Sequence, residues 1–229
     1  MTGGTSGIGR AIALLLGQEG ARVHVAGRDA ERGLAVAREV TARGGEGRFV
    51  PVDVAVDADV ARLARTAAAD GPIDHWFSNA GVEGPIGPVT GWDEAALREV
   101  LDVNLKAVLS GLRHASEHMG AGGTVVNTAS FVGTALPVPI AVPYAAAKAG
   151  VVAAGRSAAP AARRGRHQRV HAVPVGRRHP DGGPAHGWRT GRQGGLRGGV
   201  RPQREAHERR RRRRGGARPA RRPPFRQQR

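Results

Sequence analysis

An α/β fold, a doubly wound parallel sheet with helices on both faces, is predicted for residues 1–157 by three observations. Short alternating runs rich in β-branched residues take turns with longer stretches of helical apolar spacing. A glycine-rich loop, Thr2-Gly3-Gly4-Thr5-Ser6-Gly7-Ile8-Gly9, opens directly into one of those helical stretches. The chain, 229 residues without a cysteine, is long enough for one such domain and has no thiol to staple a smaller one.

The elements follow in order. Ile12, Ala13, Leu15 and Leu16 repeat at helical spacing and Gly20 closes the run, so a helix is predicted over 8–19. Val23-His24-Val25-Ala26 is short and alternating, which predicts a strand over 22–26. Loop, helix and strand together make two-thirds of a nucleotide-binding βαβ unit, in which glycines ahead of a helix let backbone N–H groups approach a phosphate. The missing third is the strand that belongs before Thr2. Leu34, Val36 and Val40 carry a second helix over 30–43, with Asp29 placed to cap it. Further helices are predicted over 57–69, 93–119 and 144–155, and further strands over 48–52, 73–77 and 124–128. The stretches from Val82 to Thr90 and from Phe131 to Pro143 read as loops.

One pair of side chains carries chemistry. Tyr144 and Lys148 stand four apart on a predicted helix and share a face, so the phenol and the ammonium lie side by side. A nearby cation favours the phenolate, which suits a group that trades protons. They are the chain's one tyrosine and one of its two lysines, and Ser130 precedes them by fourteen residues. Plainer readings exist for each: a half-buried packing tyrosine, a serine that ends a strand, an asparagine or aspartate that caps a turn.

Taken together, the segments resemble the short-chain dehydrogenase/reductase family. The family's Thr-Gly-x-x-x-Gly-x-Gly loop falls on Thr2, Gly3, Gly7 and Gly9, with Thr5, Ser6 and Ile8 between them. Its acidic residue after a strand falls on Asp53, followed by Val54, and its Asn-Ala-Gly falls on Asn79, Ala80 and Gly81, with Ser78 where a further asparagine is usual. Its helix asparagine falls on Asn104, its serine on Ser130, and its Tyr-x-x-x-Lys on Tyr144 and Lys148. The resemblance covers residues 2 to about 157. It implies a Rossmann-like sheet and hydride transfer between a nicotinamide and an alcohol or carbonyl carbon. It also assigns roles: Tyr144 as acid/base, Lys148 as its electrostatic partner and a ribose ligand, Ser130 as a donor to the substrate oxygen, Asn104 as support for a proton-carrying water. Cofactor contacts are implied for Thr2, Gly3, Thr5, Ser6, Gly7, Ile8, Gly9, Arg28, Asp53, Val54, Asn79, Ala80, Gly81, Tyr144 and Lys148.

Cofactor choice turns on Ala26-Gly27-Arg28-Asp29. An acidic side chain there accepts from a ribose 2′-hydroxyl, whereas an arginine pairs with a 2′-phosphate. Arg28 favours NADP, and NAD is the alternative because Ser6 stands where many NADP-preferring members carry a base.

Charge divides the chain. Residues 1–155 hold 13 Lys and Arg against 16 Asp and Glu, and residues 156–229 hold 23 against 3. The second part has no apolar periodicity, contains six consecutive arginines from Arg209 to Arg214, and is expected to be disordered. Two accounts of it compete. One is a frameshift: Arg166 to Asp181, back-translated with permitted codons and read one nucleotide later, yields a segment like the family's sixth strand and following loop. Read in frame, Arg169 to Pro174 also resembles that strand. The other is a true basic tail binding nucleic acid or an acidic partner; it lacks the interleaved aromatics that base stacking needs. On the first account the chain as written, short of its first and its C-terminal strands, is expected to be poorly folded or inactive. Nothing in the sequence has metal-ligand spacing, a membrane-spanning apolar run or a secretory leader, so a cytoplasmic protein is expected; the family resemblance implies a small-molecule alcohol or carbonyl substrate and, if the chain is intact, a homo-oligomer.

Overall fold

The computed structural model describes residues 1–135, 138–165 and 169–175. Its helices are α1 (Gly7–Gln18), α2 (Ala30–Ala42), α3 (Asp57–Ala68), α4 (Glu94–Leu101), α5 (Ala107–His118) and α6 (Val142–Gly165). Its strands are β1 (Arg22–Gly27), β2 (Glu46–Pro51), β3 (Ile73–Ser78), β4 (Met119–Ser130) and β5 (Arg169–Val175). All strand pairings are parallel: β1 with β2, β3 with β4, and β4 with β5. The ordered elements run past position 157, where the charge changes, since α6 continues to Gly165 and β5 then pairs with β4 from Thr124 to Ser130. Residues 158–165 and 169–175, where disorder was expected, thus form helix and strand; residues 166–168 and 176–229 lie outside the described residues, and so do the disorder expected of them and the part of the frameshift reading that falls there.

Local sequence explains the helix starts. Asp29 accepts the Arg32 N–H at 2.9 Å and Asp93 accepts the Ala96 N–H at 3.1 Å, each satisfying an orphan donor of a first turn. Asp57 and Asp59 place negative charge at the start of α3, where the helix dipole favours it. Burial then fixes the layers. Leu14, Val23, Val25, Val36 and Val40 form one cluster between β1 and helices α1 and α2. Val52, Val60, Leu63, Trp76, Val103 and Val125 form a second, under α3 and α5, and Val108, Ala129 and Val151 form a third. Trp76 and Phe77 are neighbours on β3 and belong to opposite clusters, as the two-residue period of a strand requires.

The two halves of the sheet meet at a single residue. Thr2 makes a parallel bridge to Ala26 on β1 and another to Ser78 on β3. The Thr2 N–H donates to the Phe77 carbonyl at 2.9 Å, and the Ala26 N–H donates to the Met1 carbonyl at 3.0 Å. Met1 is buried, and its terminal amine donates to the His24 carbonyl at 2.7 Å.

Enclosure of that amine lowers its pKa from 8.0 to about 5, because burial disfavours the charged form. The folded value lies below the unfolded one, so between them the unfolded chain binds more protons and stability rises with pH. His24, lowered chiefly by burial, has the same sign. Stability is therefore expected to climb by up to about 4 kcal/mol between pH 5 and pH 8 through the amine alone. Urea midpoints of the free and Nα-formylated chains check this: the formylated chain should show the shallower slope, and equal slopes would refute it.

Candidate active site

The carboxyl ends of β1, β3 and β4 converge on the glycine loop. Gly3 adopts φ 62°, and a Cβ there would lie 2.7 Å from the Ala80 Cα, so backbone packs on backbone. Gly9 is tighter, with the Gly3 carbonyl oxygen only 2.0 Å from where a Cβ would stand. The Asn79 side chain donates to the Gly3 carbonyl at 3.1 Å, and the Thr2 hydroxyl accepts the Asn79 N–H at 3.1 Å. Ser6, the N-cap of α1, makes no side-chain cap bond, and Ser6, Gly7 and Ile8 are exposed, so the first turn of α1 presents its N–H groups to solvent.

Gly81, Asn104 and Lys148 meet on the other side of that loop. A Cβ on Gly81 would stand 2.9 Å from Asn104 Oδ1 and 3.6 Å from Lys148 Nζ. Asn104 is fully buried; its Oδ1 accepts the Val82 N–H at 2.9 Å and its Nδ2 donates to the Val82 carbonyl at 2.7 Å. It sits in a π-helical turn, Asp102–Lys106, that links α4 to α5. Such single wide turns concentrate at functional sites. The continuous helix expected over 93–119 is therefore interrupted around Asn104.

Lys148 Nζ donates to the Thr128 carbonyl at 2.8 Å and lies 5.8 Å from the centre of the Tyr144 ring. Burial lowers its pKa from 10.5 to about 8. Tyr144 is half-buried, so its ring contacts the ammonium while the residue keeps an opening to solvent. Ser130 is buried at the end of β4, where its Oγ accepts the Val132 N–H at 3.2 Å. That bond uses an acceptor position and leaves the hydroxyl proton free to be donated.

Other candidates have local partners. The Asp53 carboxylate accepts the Ala55 N–H at 3.0 Å, a turn of its own backbone, while Val54 is buried beside it. The Asp29 carboxylate is occupied by Arg32, at 2.9 Å from its N–H and 2.5 Å from its guanidinium. Arg28 is exposed just past the end of β1, and Gly27 lies against Thr5 of the loop, where a Cβ would come within 2.7 Å of the Thr5 methyl. Thr128 was not among the residues singled out from sequence. It joins the two clusters, accepting from Lys148 through its carbonyl and donating its hydroxyl to Asn79 Oδ1 at 3.2 Å. Its signal is its place on β4, two residues before Ser130.

This geometry has known counterparts. The model of the family described as short chain dehydrogenase matches residues 1–176. The chain belongs to the short-chain dehydrogenase/reductase family. Relatives of the family include a cis-4-hydroxycyclohexanecarboxylate dehydrogenase of Sinomonas cyclohexanicum, 41% identical over 69% of this chain and 64% of that protein. A levodione reductase of Leifsonia aquatica is 39% identical over 69% of this chain and 61% of its own length. The chain thus spans less than two-thirds of these curated relatives. Among solved structures, a short chain dehydrogenase from Burkholderia cenocepacia in complex with NADP superposes with a TM-score of 0.75 at 32% identity, covering 82% of this chain and 76% of that one. A short-chain dehydrogenase/reductase from Serratia marcescens gives 0.73 at 31% identity, over 76% and 71%. No described helix is long and apolar enough to cross a membrane.

Proposed function

We propose that the protein is an NADP-dependent oxidoreductase acting on an alcohol or carbonyl compound. The observation that carries the reading is Lys148 lying between the Tyr144 ring and the Gly81–Asn104 pair, with Thr128 tying it to Asn79 and so to a glycine loop with no room for side chains at Gly3 and Gly9. The open first turn of α1 fits a pyrophosphate, because its N–H groups carry no competing cap. When bound, the dinucleotide supplies or accepts the hydride.

The chain's own residues then handle position and protons. Ser130 Oγ, pinned by Val132, donates its hydroxyl proton to the substrate oxygen and holds it near Tyr144. Tyr144 Oη gives a proton to that oxygen during reduction and takes one from the alcohol during oxidation. Lys148, fixed by Thr128, keeps positive charge beside the ring and is buried enough to act in a poorly solvated site. Asn104 clamps Val82, next to Gly81 and the lysine, and would support a water that carries protons between Lys148 and solvent. Relatives named for ring alcohols, a hydroxycyclohexanecarboxylate and a hydroxysteroid among them, support trying cyclic secondary alcohols first.

Preference for NADP rests on Arg28, exposed at the end of β1, with Asp29 already committed to capping α2. Fluorescence titration of the full chain with NADPH and NADH tests the reading. NADPH should bind more tightly, and Arg28→Ala should weaken NADPH about tenfold while leaving NADH unchanged. Absence of binding by either nucleotide would overturn the functional proposal, and equal loss of both on Arg28→Ala would overturn the NADP preference.

A further inference from the structure

Lys106, Ser110 and His114 stand four apart on the segment that runs from the π-helical turn into α5, so they share one face. All three bond to the same short turn, which joins β2 to α3. Lys106 Nζ donates to the Ala55 carbonyl at 3.2 Å and to the Asp102 carboxylate at the same distance. Ser110 Oγ donates to Asp57 Oδ1 at 2.6 Å, and His114 Nε2 lies 3.2 and 3.1 Å from the two oxygens of that carboxylate. The Ser110 hydroxyl first, and His114 after it, hold the Asp57 carboxyl below the usual carboxylate range. Ser110 and His114 are themselves buried, so water competes little for these bonds.

The turn is held from two sides. At its start α3 does the work: Asp59 accepts the Asp53 N–H at 2.9 Å, and Arg62 donates to Asp59 at 2.7 Å and to the Pro51 carbonyl at 2.9 Å. Farther on, α3 begins behind Val56, an N-cap position whose side chain makes no cap bond. There the polar stripe takes hold, at Ala55 and Asp57. Val54, between the two anchorages, is buried in the same apolar cluster as Val103 and Ala107, so packing draws the turn toward the same segment.

This turn also has a place beside the nucleotide. Gly27 at the end of β1 pairs with Pro51 of β2, and the Gly27 carbonyl accepts the Val52 N–H at 3.0 Å, so the turn leaves the sheet next to Arg28. Arg28 marks the adenosine half of the dinucleotide, whereas Tyr144 and Lys148 mark the nicotinamide half. Asn104, two residues before Lys106, clamps Val82 on that second side. The stretch 104–114 therefore bonds to both ends of the site. Resting on the nucleotide-binding reading above, we infer that Lys106, Ser110 and His114 are positioning residues for the adenosine half of the cofactor. Through Ala55 and Asp57 they hold Asp53 and Val54 where that half docks.

The test uses the full chain, its Lys106→Met and Asp57→Ala variants, and Asp57→Asn, whose amide oxygen can still accept from Ser110. Amide exchange at Ala55 and Val56 is read without nucleotide. Affinity is read for NADPH by fluorescence and for 2′,5′-ADP, which has no nicotinamide, by calorimetry; KM for NADP is separated from kcat. Lys106→Met and Asp57→Ala should speed exchange at both amides about tenfold. Each should weaken NADPH and 2′,5′-ADP by the same factor, about five- to tenfold, and raise KM likewise, with kcat kept within about twofold. Asp57→Asn should recover most of the loss. A brace that serves stability alone would lower the thermal midpoint and leave the affinity for 2′,5′-ADP unmoved, and that result overturns the inference. So does a loss of NADPH affinity that 2′,5′-ADP does not share. A parent chain that binds neither ligand overturns the functional reading and this inference with it. The Lys106 side chain is half exposed, so Lys106→Met decides the matter should Asp57→Ala fail to fold.

Discussion

Replacing Tyr144 by phenylalanine should lower turnover of an alcohol with NADP by about three orders of magnitude. The phenyl ring keeps its place against Lys148, whose Nζ lies 5.8 Å from the ring centre and is separately held by the Thr128 carbonyl. What is lost is one oxygen and its proton. NADPH binding should stay within about threefold of the parent, because the glycine loop, the first turn of α1 and Arg28 are untouched. Stopped-flow or steady-state rates paired with fluorescence titration separate the two quantities. A variant that keeps more than a tenth of the parent rate would remove Tyr144 from the proton path.

Gly9→Ala should be the most damaging single change in the loop. Its new methyl would lie 2.0 Å from the Gly3 carbonyl oxygen and 2.7 Å from Asn79 Nδ2. Neither neighbour can retreat freely. Gly3 is pressed on the Ala80 backbone and its carbonyl is held by Asn79, which is itself held by Thr128. The expected cost is about 2–3 kcal/mol of stability together with loss of measurable nicotinamide binding. Gly7→Ala is the internal comparison: its φ of 52° is strained for alanine, but nothing lies within 4 Å of the added Cβ. It should cost about 1 kcal/mol and leave the fold intact. Urea unfolding of both variants decides the matter, and a Gly9→Ala protein as stable as Gly7→Ala would refute the packing argument.

Much of the fold was legible because its signals are local. Helix α2 was expected over 30–43 and spans Ala30–Ala42, since Asp29 supplies a cap and Val36 and Val40 supply a buried stripe. Strands β1 and β3 were expected to within a residue, because their runs are short and bounded by Gly20 and Gly71. Two features depend on distant partners and were not set by local spacing. The expected helix over 144–155 continues to Gly165, and β5 forms from Arg169, where the in-frame residues to Pro174 had only a family-like look beside a competing frameshift reading; what stabilises β5 is its pairing with β4. The π-helical turn at Asp102–Lys106 leaves no mark on apolar spacing, because Val100, Val103, Ala107 and Val108 still fall inward on both sides of it. The candidate site was legible as a set of residues and not as a mechanism of support. Nothing in the spacing of Asn104 or Thr128 tells that one clamps Val82 and the other ties Lys148 to Asn79.

That wide turn also sets the bearing of two helices. A π-turn holds one residue more than an α-turn, and one residue of α-helix is worth about 100° of rotation. Helix α4 lies against α6 before the turn, and α5 lies against α3 and β3 after it. The extra residue acts as a cam between two shafts, indexing α5 relative to α4. Deleting any one of the five residues would swing one shaft by about a quarter turn and carry Asn104 off Val82 or lift Ala115 from the core. Substitutions along the turn alter side chains one at a time, whereas a single missing codon would reset the timing of the whole layer.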